Sequence, residues 1–123
     1  MHEMGVVMQA TREIIAFAED NGIDKIAEVV FEIGEGSGIV NDYFKKVWPV
    51  ACNGTMLEGC DVIIEVIPGM AQCMDCNEIY NVVANKGCCP ECGSRMKEVL
   101  SGLDCTIKEI HVPEEDIPEH LAE

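Results

Sequence analysis

"CMDCNEIYNVVANKGCCPEC" (Cys73–Cys92) decides how the rest of this 123-residue chain is read. It contains two C-x-x-C pairs, Cys73/Cys76 and Cys89/Cys92, separated by 12 residues. In each pair a tight turn can aim two thiolates at one point. Two such turns close a tetrahedron around zinc, with Zn–S distances of about 2.3 Å. The adjacent Cys88 and Cys89 fix the register, because only Cys89 has a cysteine three positions on, which makes Cys88 the bystander. Four sulfur ligands leave no open position for water or substrate, so the Zn(II) expected at Cys73, Cys76, Cys89 and Cys92 is structural. It would also supply folding free energy that a module of about 30 residues cannot draw from its own core.

Outward from this stretch, "DVIIEVIP" (Asp61–Pro68) and "LDCTIKEIHV" (Leu103–Val112) read as strands. The second can satisfy its backbone only by returning to a sheet formed earlier, so residues 69–102 are expected to loop out of a small α/β domain. Nearer the start, Lys25–Ile33 places Ala27, Val29, Phe31 and Ile33 on one face and Glu28 and Glu32 on the other, a half-buried strand that Gly34–Gly38 breaks. From Glu3 to about Asp20, Met4, Val7, Met8, Ile14, Ile15 and Ala18 recur at helical spacing, and Asn21-Gly22 supplies a stop. A second helix is expected over Asn41–Cys52, carrying Tyr43, Phe44, Val47, Trp48 and Ala51, with Asn41 or Asp42 as its cap. Pro49 predicts a kink there or an end near Trp48. The tail from Pro113 is acidic and is expected to fray.

The fold class expected is therefore α/β (α+β), a small three-stranded sheet with two helices plus an inserted zinc ribbon with rubredoxin-like knuckles. The domain division expected is 1–68 with 103–123 for the first part and 69–102 for the insert.

The charge bounds the partners. Eight Lys and Arg against 23 Asp and Glu give a formal charge of −15, which repels nucleic acid and anionic membrane and favours cations or basic proteins. Apolar runs are short and no secretory pattern is visible, so a cytoplasmic protein without a membrane span is expected. In that compartment cysteines read as metal ligands, reactive thiols or small core residues rather than disulfides. Cys52, Cys60, Cys88 and Cys105 lack paired spacing, and Cys60 and Cys105 are expected to be buried. An enzyme is not expected, since the chain offers no Ser/His/Asp set, no open zinc position and no histidine beside the cysteines, although catalysis by Cys52 or Cys88 stays open. "GEGSG" (Gly34–Gly38) lacks the G-x-G-x-x-G spacing and carries a carboxylate, so it reads as a turn and not a phosphate cradle. Two further alternatives remain. "CPECG" also resembles a rubredoxin knuckle, which would hold iron and carry electrons, and the ribbon could be a protein-interaction module.

The start of the chain, "MHE", poses a separate question. The large side chain of His2 is expected to leave Met1 in place, so that the amine of Met1, the backbone nitrogen of His2 and its imidazole would form adjacent chelate rings. Amide nitrogens give up their protons to metals that reward a square-planar nitrogen field, Cu(II) and Ni(II), and not to tetrahedral zinc. Glu3 could orient the imidazole or favour the first helical turn. The plain alternative is a surface histidine at a frayed end.

Several segments together resemble the HypA/HybF family of nickel metallochaperones for hydrogenase maturation: "MHEM", "KIAEVVFEIGEGSGI", "NGTMLEGCDVIIEVIP", the C-x-x-C followed by "CPECGS", and "LSGLDCTIKEIHV", in that order. The resemblance covers residues 1–112. It implies a nickel-binding α/β domain with an inserted zinc domain, Met1, His2 and Glu3 as the Ni(II)-binding terminus, and Cys73, Cys76, Cys89 and Cys92 as the zinc ligands. It implies no catalytic activity, but delivery of nickel to the large-subunit precursor of [NiFe] hydrogenase with a HypB-type GTPase. Urease and its accessory proteins are further clients in some organisms, and a homodimer is left open. The absence of a G-x-x-x-x-G-K-[ST] loop agrees with GTP hydrolysis by a partner. Pro49 and "GEGSG" depart from the family pattern. No histidine lies between Glu3 and Ile110, so any further nickel ligand from the insert would be another residue type, and His111 is expected as an edge residue.

Overall fold

The computed structural model describes residues 3–121. Helix α1 (Glu3–Asp20) is followed by strand β1 (Glu28–Gly34), helix α2 (Asn41–Cys52) and strand β2 (Asp61–Ile67). Three short strands come next, β3 (Met70–Cys73), β4 (Ile79–Asn81) and β5 (Lys97–Ser101), and then β6 (Cys105–His111). The strands form two three-stranded sheets, ordered β2-β1-β6 and β4-β3-β5. The expected α+β class with a three-stranded sheet and two helices is the one found. Residues 69–102 hold the second sheet, β4-β3-β5.

Backbone bonds give the strand directions. Asp61 N–H donates to Ala27 and Glu35 N–H to Ile67, so β1 and β2 advance together with α2 as the crossover. Ala27 N–H donates to His111 and Gly34 N–H to Asp104, so β6 runs opposite to β1. Being the middle strand, β1 is covered more fully than a half-buried strand. Val30 is buried along with Val29, Phe31 and Ile33, while Ala27, expected on the buried face, lies before the strand and is exposed.

The chain divides into two compact units, Met1–Phe31, Val40–Ile64 and Ile107–Glu123 in the first, and Glu32–Ile39 with Glu65–Thr106 in the second. In the first, α1 buries Glu3, Val7, Ala10, Thr11, Ile14 and Ala18, a stripe at i, i+4, i+7, i+8, i+11 and i+15. Met4 and Met8, expected on that stripe, sit just off it and are exposed. Thr11 is tolerated inside because its hydroxyl donates to the Met8 carbonyl at 2.9 Å.

Helix α2 runs through Pro49 to Cys52, and Asn53 N–H closes it on the Pro49 carbonyl at 3.0 Å. The lost bond is outweighed by the face that packs: Phe44, Val47, Trp48 and Cys52 are buried, while Pro49 is exposed. Phe31 meets Phe44 edge-on at 4.9 Å and Trp48 at 5.5 Å, and the Trp48 indole donates to the Cys60 carbonyl at 2.9 Å. Val40 is the N-cap and makes no side-chain bond, so neither Asn41 nor Asp42 caps the helix as expected. The tail forms two 3-10 turns, Glu114–Asp116 and Glu119–Leu121.

In the second unit three chain segments cross with backbone against backbone. A Cβ on Gly34 would lie 2.2 Å from the Gly102 carbonyl, and one on Gly102, whose φ is +85°, would lie 2.4 Å from the Pro68 oxygen. Only glycine fits there. Glu35 clasps the crossing, its carboxylate accepting the Gly69 N–H at 3.0 Å and the Asn81 amide at 2.9 Å.

Candidate metal centre

The two C-x-x-C segments fold into the same turn. Cys73 N–H donates to the Glu78 carbonyl, Asn77 N–H returns to the Cys73 carbonyl, and Asp75 N–H points at Cys73 Sγ at 3.4 Å. At the second turn Cys89 N–H donates to Ser94, Gly93 N–H returns to Cys89, and Glu91 N–H points at Cys89 Sγ at 3.4 Å. The residue after each second cysteine, Asn77 or Gly93, is left-handed, with φ of 67° and 77°. Sequence reasoning passed over these two positions. Their signal is the residue type, since Asn and Gly are the ones that tolerate that conformation. Ser94 Oγ, bonded to the Asp75 carboxylate, ties one turn to the other.

Strands β3 and β4 carry the first turn and β5 follows the second, while the core beneath, Ala71, Cys73, Tyr80 and Cys89 with Val82 against them, is too small to hold the module alone. The four sulfurs of Cys73, Cys76, Cys89 and Cys92 all lie within 4.8 Å of one another, with Cys73–Cys92 and Cys76–Cys89 each at 3.5 Å. A tetrahedron with metal–sulfur bonds of about 2.3 Å has edges of about 3.8 Å, so the donor set has the size and chemistry of a four-thiolate site. All eight cysteines are free thiols, which sets the disulfide reading aside.

The electrostatics ask for a cation. Burial opposes the Cys73 thiolate, yet the Asp75 and Cys76 N–H groups and the neighbouring thiols bring it down to about 7. At Cys76 the Glu78 N–H favours the thiolate, but the thiols of Cys89, Cys92 and Cys73, together with burial, push it up to about 12. Cys92 is also raised, with Cys73 opposing the help of the Ser94 N–H. Sulfurs this close oppose one another's negative charge, which a bound cation would neutralise.

Cys88 stands apart from the four-sulfur group and accepts the Arg95 guanidinium at 3.3 Å. Cys52 and Cys60 are buried. Cys105 is only half-buried, less than expected. Burial, with Cys60 nearby, pushes Cys52 up to about 12, which leaves it a poor nucleophile. His111 ends β6, its Nδ1 3.3 Å from Glu28 and its Nε2 2.7 Å from Glu109, so both ring nitrogens are taken.

The candidate nickel ligands Met1 and His2 lie outside the described residues. Glu3 is described and is 2% exposed, and its Oε2 accepts the Val40 N–H at 2.8 Å, joining the first turn of α1 to the start of α2. A family model described as hydrogenase/urease nickel incorporation, metallochaperone, hypA, matches residues 1–112. The chain belongs to the HypA family. It is 33% identical over 110 residues to the hydrogenase maturation factor HybF of Klebsiella pneumoniae, covering 89% of this chain and 97% of that protein. It is 34% identical over 113 residues to the hydrogenase maturation factor HypA of Streptomyces avermitilis, covering 90% and 86%. The solution structure of the Ni metallochaperone HypA from Helicobacter pylori shares the fold at a TM-score of 0.66 and 22% identity, covering 91% of this chain and 97% of that one. Among the described residues no helix is long and apolar enough to cross a membrane.

Proposed function

We propose that this HypA-family protein carries Ni(II) at its amino terminus and holds a structural Zn(II) at Cys73, Cys76, Cys89 and Cys92. The Met1 amine, the backbone nitrogen and imidazole of His2, and the next nitrogen along the chain would supply a square-planar field for nickel as cargo. The Glu3 carboxylate fits a positioning role. Its bond to Val40 fixes the first turn of α1 against α2 and would hold the terminus where a partner can reach it. The observation that carries the nickel reading is that the family match begins at residue 1, so "MHE" lies inside it.

Zinc is the ion proposed for the four thiolates because the site is closed and the module needs the folding free energy. Iron would use the same sulfurs, and protein that is red as isolated, losing its colour on reduction, would replace zinc with an electron-carrying centre. The division into a nickel domain, 1–68 with 103–123, and a zinc domain, 69–102, belongs to this proposal. So does its place in the cell: a cytoplasmic, non-enzymatic carrier that passes nickel to the hydrogenase large subunit, or to urease, with a GTPase partner supplying the hydrolysis.

Calorimetric titration of Ni(II) into three proteins tests the nickel site: the tag-free chain, His2→Ala, and a chain extended by one residue before Met1. The expected result is loss of the tight site in both altered proteins. Equal binding by all three would refute the terminus as the carrier.

A further inference from the structure

The outer face of the cysteine module's sheet mixes exposed apolar side chains with a carboxylate. In β4-β3-β5, Gln72 stands opposite Ile79 on one side and Glu98 on the other, while its neighbours Ala71, Cys73 and Tyr80 turn into the core. Alternation therefore places Ile79, Gln72 and Glu98 in one row on the face away from the core. One step further along, Met74 N–H donates to the Met96 carbonyl at 2.9 Å, which sets two methionines side by side. Met74, Ile79 and Met96 are 63%, 54% and 61% exposed. Three large apolar side chains left open on so small a module, two of them adaptable thioethers, mark a docking face.

The charge on that face selects the occupant. No hydrogen bond or ion pair reaches the Glu98 carboxylate from any other described side chain. A second copy seated on the same face by a twofold axis would bring carboxylate toward carboxylate, on a chain already at −15. A segment that presents apolar side chains together with a lysine or arginine would cover the methionines and pair with Glu98. We propose that the Met74–Ile79–Met96 face docks a basic amphipathic segment of a partner protein, with Glu98 as its charge anchor. Met74 lies inside the first C-x-x-C turn, so this face adjoins the four-sulfur site, and the proposed docking does not depend on nickel binding.

The test uses the metal-loaded full chain, labelled with carbon-13 at the methionine methyls, and a synthetic 18-residue amphipathic peptide of leucine and lysine. Serine–lysine and leucine–glutamate peptides of the same length serve as controls. The leucine–lysine peptide is expected to shift the Met74 and Met96 methyl signals and leave Met4 and Met8 in place, with binding that weakens as salt rises. Glu98→Lys is expected to weaken binding about tenfold, and Glu19→Lys, the same charge change on α1, by less than twofold. The paired change Met74→Gln with Met96→Gln is expected to abolish it, while the cobalt–thiolate spectrum of the cobalt-substituted variant shows the module intact. Equal losses from Glu98→Lys and Glu19→Lys, or equal binding of the serine–lysine peptide, would overturn the proposal. So would movement of the Met74 and Met96 signals with protein concentration alone, which would assign the face to a second copy.

Discussion

Phe31→Leu tests the packing that sets α2, and with it Val40, the partner of Glu3. Phe31 is 1% exposed and meets two buried rings of α2 edge-on, Phe44 at 4.9 Å with an interplanar angle of 71° and Trp48 at 5.5 Å with 78°. Each such pair adds about 0.5–1.5 kcal/mol beyond the area it buries, so losing both removes roughly 1–3 kcal/mol. The smaller leucine leaves a partly collapsed gap worth about 1 kcal/mol more. The expected total is about 2–4 kcal/mol. Trp48 is the only tryptophan in the chain, so its fluorescence reports this core during urea unfolding. With a slope of about 2 kcal/mol per molar for a protein of this size, the midpoint should fall by roughly 1–2 M. A shift below about 0.3 M would refute the ring contacts as a main source of stability here.

Three further outcomes are expected. Gly59 and Gly102 share a left-handed φ, +81° and +85°, but only Gly102 has backbone in the way, so Gly59→Ala should cost about 1–2 kcal/mol and Gly102→Ala clearly more. Thermal unfolding of the two variants measures the difference, and equal costs would refute the crowded crossing. Glu109, with Glu28 nearby, holds the His111 pKa above its ordinary value of 6.5. Its stabilising effect is thus fully present below about 6.5 and is lost as pH rises through the higher native value, and an NMR titration should show Glu109→Gln lowering that value. Iodoacetamide at pH 7.5 should label Cys88 ahead of Cys52 and Cys60, which burial pushes up to about 12 and 11; earlier labelling of Cys52 would contradict its place in the core.

The cysteine spacing made the four-sulfur group legible in advance because a C-x-x-C turn is local, and only the register between Cys88 and Cys89 had to be resolved. Helix α1 and the three strands of the first sheet were equally legible, since each carries several periods of its pattern. Strands β3 and β4 were not, because four residues and three are too few for alternation to show. Pro49 misled by its local rule, since the chain around it cannot reveal that Phe44, Val47, Trp48 and Cys52 share one buried face against Phe31. The burial of Glu3 was invisible for a related reason. Its partner, Val40, is 37 positions away and contributes only a backbone N–H.

Nickel and zinc are assigned to different donor sets, and X-ray absorption on a single tag-free sample carrying one equivalent of each reads both at once. The account predicts nitrogen and oxygen neighbours alone at the nickel edge and four sulfurs at about 2.3 Å at the zinc edge. Sulfur at the nickel edge, or fewer than four sulfurs around zinc, would contradict it.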